Sequence, residues 1–147
     1  MKYTLELTEN QAAVIQRACE IYMRLCIGQL EHVLDVTIWG EAEVKEVHAI
    51  EANRVRAFSD ALKYEMFGFQ PQESWGVHQA PNRVRTAYDV LQVIRHRLAL
   101  DIRPLNEQNK WNINYNTPIK CGDEELPKMK GEKDGTIQKG EDSTRNA

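Results

Sequence analysis

Between Glu9 and Leu34 the chain carries no proline and a single glycine, Gly28. Over the same stretch apolar residues recur at Ile15, Ala18, Cys19, Tyr22, Leu25, Cys26, Leu30 and Val33. That spacing is one face of an α-helix. A helix of ~25 residues spans ~37 Å, so the rest of a small domain has to be built along it. Gly28 costs ~1 kcal/mol relative to Ala in a helix interior and marks a kink or a close crossing. Just upstream, Thr8-Glu9-Asn10-Gln11 reads as a capping box, with the Thr8 hydroxyl accepting from a free amide and Gln11 reaching back.

The remaining elements follow from periodicity. Residues 2–7 alternate, with Tyr3, Leu5 and Leu7 on one face, which predicts a strand. A second helix is expected from about Glu41 to Phe67, with Val44, Val47, Val55, Phe58, Leu62 and Met66 in its stripe. Glu51 and Arg54 interrupt that stripe. The stretch from Gly68 to Asn82 holds two prolines and two glycines, which forbid regular structure. Its Phe69, Trp75 and Val77 favour an ordered loop packed on the helices. A third helix is expected from about Asn82, a fair N-cap, to Asp101, with Val84, Ala87, Tyr88, Leu91, Ile94 and Leu98 inward. Arg85, Asp89, Gln92, His96 and Arg95 fall on its outer side. Trp111-Asn112-Ile113-Asn114-Tyr115-Asn116 alternates again and predicts a second strand paired with the first.

The expected fold class is therefore α+β and predominantly helical. It has a three-helix core and a small two-stranded sheet formed by N- and C-terminal strands. Residues 1–121 make one globular domain. Residues 122–147 are charged and nearly free of large apolar side chains, so they are expected to form a disordered tail.

Composition then removes whole classes of function. The 147 residues carry 19 basic and 22 acidic side chains, a net charge of −3, which argues against a surface built for duplex nucleic acid. No apolar run reaches the ~20 residues of a membrane helix, and residues 1–6 show no apolar signal core. Three cysteines without a secretory signal point to a reducing compartment. Cys19 and Cys26 lie two helical turns apart, ~10 Å, too far for a disulfide. His48 with Glu51, and His32 with Asp35, have the spacing of metal-sharing pairs, but that spacing is common by chance. Ser59, Ser74 and Ser143 lie in no nucleophile motif, and no glycine-rich phosphate loop occurs. Neither an enzyme nor a resident cofactor or metal is expected.

One region stands apart. Residues 78–103 carry five arginines against two aspartates, a local positive field on an acidic chain. Guanidinium groups offer paired donors to phosphate or carboxylate. Arg85, Gln92 and His96 share one helix face, Arg95 borders it, and Tyr88 is nearby. Trp75 and His78 sit in the loop expected to fold back over the helix start. Aromatics beside arginine can stack a base and clamp its phosphate. The expected ligand site is thus Trp75, His78, Arg85, Tyr88, Gln92, Arg95 and His96, holding a small anionic ligand such as a nucleotide. The plainer reading is a solvated helix face with aromatics in the core.

Two segments carry a resemblance: Leu7-Thr8-Glu9-Asn10-Gln11 with Ala18 to Leu25 and Gly28-Gln29, and Ala87 to Ala99. They resemble small, largely uncharacterised bacteriophage-encoded accessory proteins over about the first 120 residues. The resemblance brings no catalytic residues. It implies a viral protein of the bacterial host cytoplasm that counters defence by sequestering a nucleotide immune signal. The alternative is an inhibitor that grips a host defence protein and binds no small molecule. No membrane partner is expected. Long apolar stripes on two helices also suggest a homo-oligomer, with the first-helix stripe continuing into a subunit interface.

Overall fold

The structure is a computed structural model that describes residues 3–32, 49–103 and 106–131, with the side chains of residues 49–52 outside that set. Helix α1 runs Glu9–Cys26, α2 runs Ala49–Phe67 and α3 runs Asn82–Ile102. Short 3₁₀ turns at Val77–Gln79 and Ile113–Tyr115 precede and follow α3. No helix among the described residues is long and apolar enough to cross a membrane.

The Thr8 capping box forms: Thr8 Oγ1 accepts from Gln11 N at 3.3 Å, and Thr8 N donates to Gln11 Oε1 at 2.9 Å. The other end of α1 corrects the sequence reading. The helix stops at Cys26 because Gly28 takes φ +84°, a left-handed conformation that L side chains resist. Gly28 N donates to Leu25 O and Gln29 N to Arg24 O, the paired bonds of a Schellman stop. A Cβ at Gly28 would also lie 3.0 Å from the Phe69 ring. The glycine ends the helix; it does not kink it. On α1 itself Ala12 and Met23 are buried, Ile27 and Leu30 are buried just beyond its end, and Tyr22 and Leu25 are exposed.

Helices α1 and α3 pack antiparallel. The start of α1 lies beside Arg95 to Ile102, and Met23 and Ile27 join Ala80, Val84 and Leu91 in the core. Cys19, Cys26, Val77 and Tyr88 pack around that cluster. The loop after α2 is ordered by aromatics, as its composition suggests. Phe67 stacks on Phe69 at 5.7 Å, and Trp75 meets both rings edge-on. Trp75 N donates to Ile27 O at 3.0 Å and ties the loop to the end of α1.

The two expected strands do not form; among the described residues there is no β-strand. The fold is helical, not α+β. Residues 3–7 belong to no ladder, with Tyr3 87% and Leu5 71% exposed. The alternation at Trp111–Asn116 is a run of turns. Asn112 Oδ1 accepts from Asn114 N at 3.0 Å, and Tyr115 N donates to Asn112 O. Asn106 Oδ1 likewise accepts from Gln108 N and Asn109 N. Asparagine side chains that bond their own backbone favour turns over a pleat. Asparagine is also depleted in strands.

Candidate functional site

The outer face of α3 is where the expected site was placed, and another part of the chain covers it. Asn82, Arg85, Asp89 and Gln92 fall at spacings of three, four and three residues, one stripe along the helix. Across this stripe lie residues 119–123. Gln92 bonds both backbone groups of Ile119: its Nε2 donates to the carbonyl at 2.9 Å and its Oε1 accepts from the N–H at 3.2 Å. Asp89 takes two amides, Cys121 N at 2.8 Å and Gly122 N at 2.9 Å. Arg85 donates to Cys121 O at 3.1 Å and pairs with Asp123 at 3.3 Å. Asn82 Oδ1 accepts from Asp123 N at 2.8 Å. Four helix side chains thus bond the backbone of a segment that has no helix or strand partners of its own.

This strap fits closely. Gly122 is buried, and a Cβ there would lie 3.0 Å from Thr86 N and Oγ1 and 3.1 Å from Asp89 Oδ2. Asp89 is only 2% exposed, so its two amide bonds compensate the loss of water around a carboxylate. Burial, chiefly, and then the Asp89 carboxylate push the Cys121 thiol up from its ordinary value, with Arg85 pulling the other way. The boundary expected at residue 122 falls within this described segment, which continues to Gly131; residues 132–147 lie outside the described set.

The seven expected site residues therefore go to different places. Arg85 and Gln92 hold the strap. Trp75 belongs to the aromatic cluster beside the end of α1, and Tyr88 packs on the core. His78 is exposed in the first 3₁₀ turn. His96 is half-buried, with Nδ1 out of solvent and without a hydrogen-bond partner. Asn82 is not an N-cap; Pro81 occupies that position without a side-chain cap. Asp89 and Gln92, read from sequence as outward-facing, are both buried.

Arg95 lines a cavity. A cleft of about 250 Å³ opens between the first turns of α1 and the last turns of α3. Glu9, Asn10, Ala13 and Gln16 form one wall, Arg95, Leu98, Ala99 and Ile102 the other, and Asn114 the end. Arg95 Nε is buried and without a hydrogen-bond partner. Nearby Arg97 is differently placed, held by Asp101 through Nε at 2.9 Å and Nη2 at 2.6 Å. The cleft offers one guanidinium, one carboxylate and three side-chain amides within a partly apolar lining. It sits at the amino end of α1, where the helix dipole favours negative charge.

Among the described residues no group of three His, Cys, Asp or Glu side chains could hold a metal ion. His48, Asp35 and the Glu51 side chain lie outside them. The three cysteines are free thiols, and burial raises the Cys19 thiol above its ordinary value. Sequence reasoning missed Asp89 and Gly122 as the points that anchor the strap. The available signal was the polar stripe Asn82, Arg85, Asp89, Gln92, too regular for a random solvated face. No protein-family model, no curated protein and no solved structure matches this chain.

Proposed function

We propose that the protein is a non-enzymatic binder of a small anionic ligand, nucleotide-like in class, held in the α1–α3 cleft by Arg95. The carrying observation is the Arg95 guanidinium, which lines the cleft with a buried Nε that bonds nothing. An unsatisfied buried donor costs ~1–3 kcal/mol, and an anion there would recover it. Glu9, Asn10, Gln16 and Asn114 would read hydroxyl and amino groups on the same ligand. At about 250 Å³ the cleft lies just under the ~300 Å³ at which ligand pockets usually begin, so it would take one nucleotide unit at most, with part of it outside. A role in binding, not turnover, is supported by the buried Ser59 and the raised Cys19 and Cys121 thiols, which are poor nucleophiles in that state. Sequestration of a host nucleotide signal by a phage protein belongs to the same proposal and rests on the sequence resemblance.

A protein partner is the second reading. Its support is the exposure of Tyr3 and Leu5 on the arm leading into α1, and of Trp111 and Ile113 before Asn114. These apolar groups flank the cleft in sequence and would suit a macromolecular surface.

Calorimetric titration of the full chain with mononucleotides and cyclic dinucleotides separates the readings. The proposal expects saturable binding to one of them, weakened by ~1.5–3 kcal/mol in Arg95→Ala, as for a hydrogen bond to a charged group. Arg83→Ala, an exposed position on α3, should bind as wild type. Binding to none of the panel, or undiminished binding by Arg95→Ala, would overturn it.

A further inference from the structure

Helix α2 is packed inside out. Its inward side is polar: Ser59 is buried, and Lys63 is 1% exposed with Nζ donating to Pro71 O at 2.6 Å and lying 3.6 Å from Glu31. Its apolar stripe faces solvent, with Phe58 71%, Met66 61% and Leu62 42% exposed and Val55 half-buried beside them. Rolling the stripe inward would break the Lys63 contacts with Pro71 and Glu31.

The stripe is close to symmetric about residue 60. When the helix is turned end over end, Phe58 falls opposite Leu62, and Val55 falls within one residue, ~1.5 Å, of Met66. The charges follow the same symmetry to within one residue. Arg54 and Glu65 stand 11 residues apart, three helical turns within about 20°, so both flank the stripe on one edge. Along the axis that separation is ~16 Å, too long for a pair within one helix. Between two antiparallel copies, residues on like edges meet, and Arg54 of each reaches Glu65 of the other.

We propose that α2 is a self-association face on which a second copy of this chain docks antiparallel. Phe58 and Leu62 fill the seam, and an Arg54–Glu65 pair closes each end. The arrangement is isologous: one patch serves both partners, and its contacts occur twice. This stands independently of the Arg95 cleft. A stripe of ~16 Å offers less than the ~800 Å² per partner of a standard interface, so the dimer is expected to be weak, on the order of 10–100 micromolar.

Sedimentation velocity of the full chain over a rising concentration series tests this. Wild type should pass from monomer to dimer mass, and Phe58→Asp should remain monomeric. Arg54→Glu and Glu65→Arg should each weaken dimerisation at least tenfold, because each homodimer then holds two like-charged contacts. An equimolar mixture of these two variants should dimerise about as strongly as wild type, since every contact between unlike chains is again attractive. The substituted side chains are exposed, so melting curves should match wild type and verify folding. Monomeric wild type at all concentrations overturns the proposal and leaves the stripe to a different protein. A mixture no stronger than either variant overturns the antiparallel pairing.

Discussion

Residues 3–8 and residues 119–123 both lie outside regular secondary structure beside the α1–α3 pair, yet they meet opposite fates. The first segment has the alternation and apolar content of a strand, with Tyr3, Leu5 and Leu7 on one face, and it stays exposed. The second stands at the start of a charge-rich stretch, carries an exposed Ile119, and is bound along its length to α3. The second segment has a row of helix side chains that bond its backbone. An extended chain loses ~1–2 kcal/mol of conformational entropy per ordered residue, and apolar side chains left in water cannot offset that. Gln92, Asp89, Arg85 and Asn82 do so by bonding amides and carbonyls directly.

The largest break in this contrast should come from Asp89→Ala. The substitution removes both acceptors for the Cys121 and Gly122 amides at a buried position. Each amide left unsatisfied costs ~1–3 kcal/mol, less what water recovers when the strap lifts, so a loss of about 2–4 kcal/mol is expected. Chemical denaturation measures it. A loss under about 1 kcal/mol would mean that the strap contributes little to the fold.

Gly122→Ala should come next, at about 1–3 kcal/mol, the usual cost of overpacking. The added methyl meets the Thr86 backbone nitrogen at 3.0 Å, an atom the helix holds in place. Hydrogen exchange should show faster amides at 121 and 122 with the helix unchanged. An unchanged exchange pattern would show that the segment shifts without strain.

The strap can also be followed through its thiol. Burial and the Asp89 carboxylate raise the Cys121 value above an ordinary 9.0, so the folded protein holds the proton where an unfolded chain releases it. For a group raised in this way, the stabilising contribution is present below pH 9.0 and declines as pH climbs through the folded value. The rate of alkylation at Cys121 should therefore reach half its maximum above pH 9.0 in the native protein. Asp89→Ala removes one cause of the shift and frees the strap, so its profile should move to lower pH. Coincident profiles would place Cys121 outside the influence of Asp89.

How much of this was legible in sequence depends on how local the cause is. The Thr8 capping box involves residues three apart, and spacing alone reveals it. The spacing of Val84, Leu91 and Ile94 likewise located the inner face of α3, and all three are buried. Gly28 looked like a helix interior because its left-handed φ and its contact with Phe69 depend on a loop 40 residues on. The Asn-rich alternation imitated a pleat because period two does not separate a strand from successive asparagine turns. Asp89 looked solvated because its partners lie more than 30 residues downstream, in a segment whose composition suggested a tail. The same distance in sequence hides the partners of Arg85 and Gln92: both have the chemistry for an anion, and both bond the chain's own backbone at Ile119 and Cys121.

The smallest effect should come from the other half of the comparison. Deleting residues 1–7 while keeping Thr8 removes the exposed residues 3–7 and spares the capping box, whose bonds all arise from Thr8 and Gln11. Surface changes away from caps and buried groups usually stay within about 0.5 kcal/mol, and the truncated chain should melt within that margin of the full one. Because Glu9 and Asn10 line the cleft, the same truncation also tests whether the arm serves binding. Unchanged stability with weakened nucleotide binding would make the arm a lid on the ligand. Unchanged stability with loss of a captured protein would favour the macromolecular partner. A fall of several kilocalories would reverse the contrast itself, since it would require Tyr3 and Leu5 to be covered in solution by something that binds the folded state.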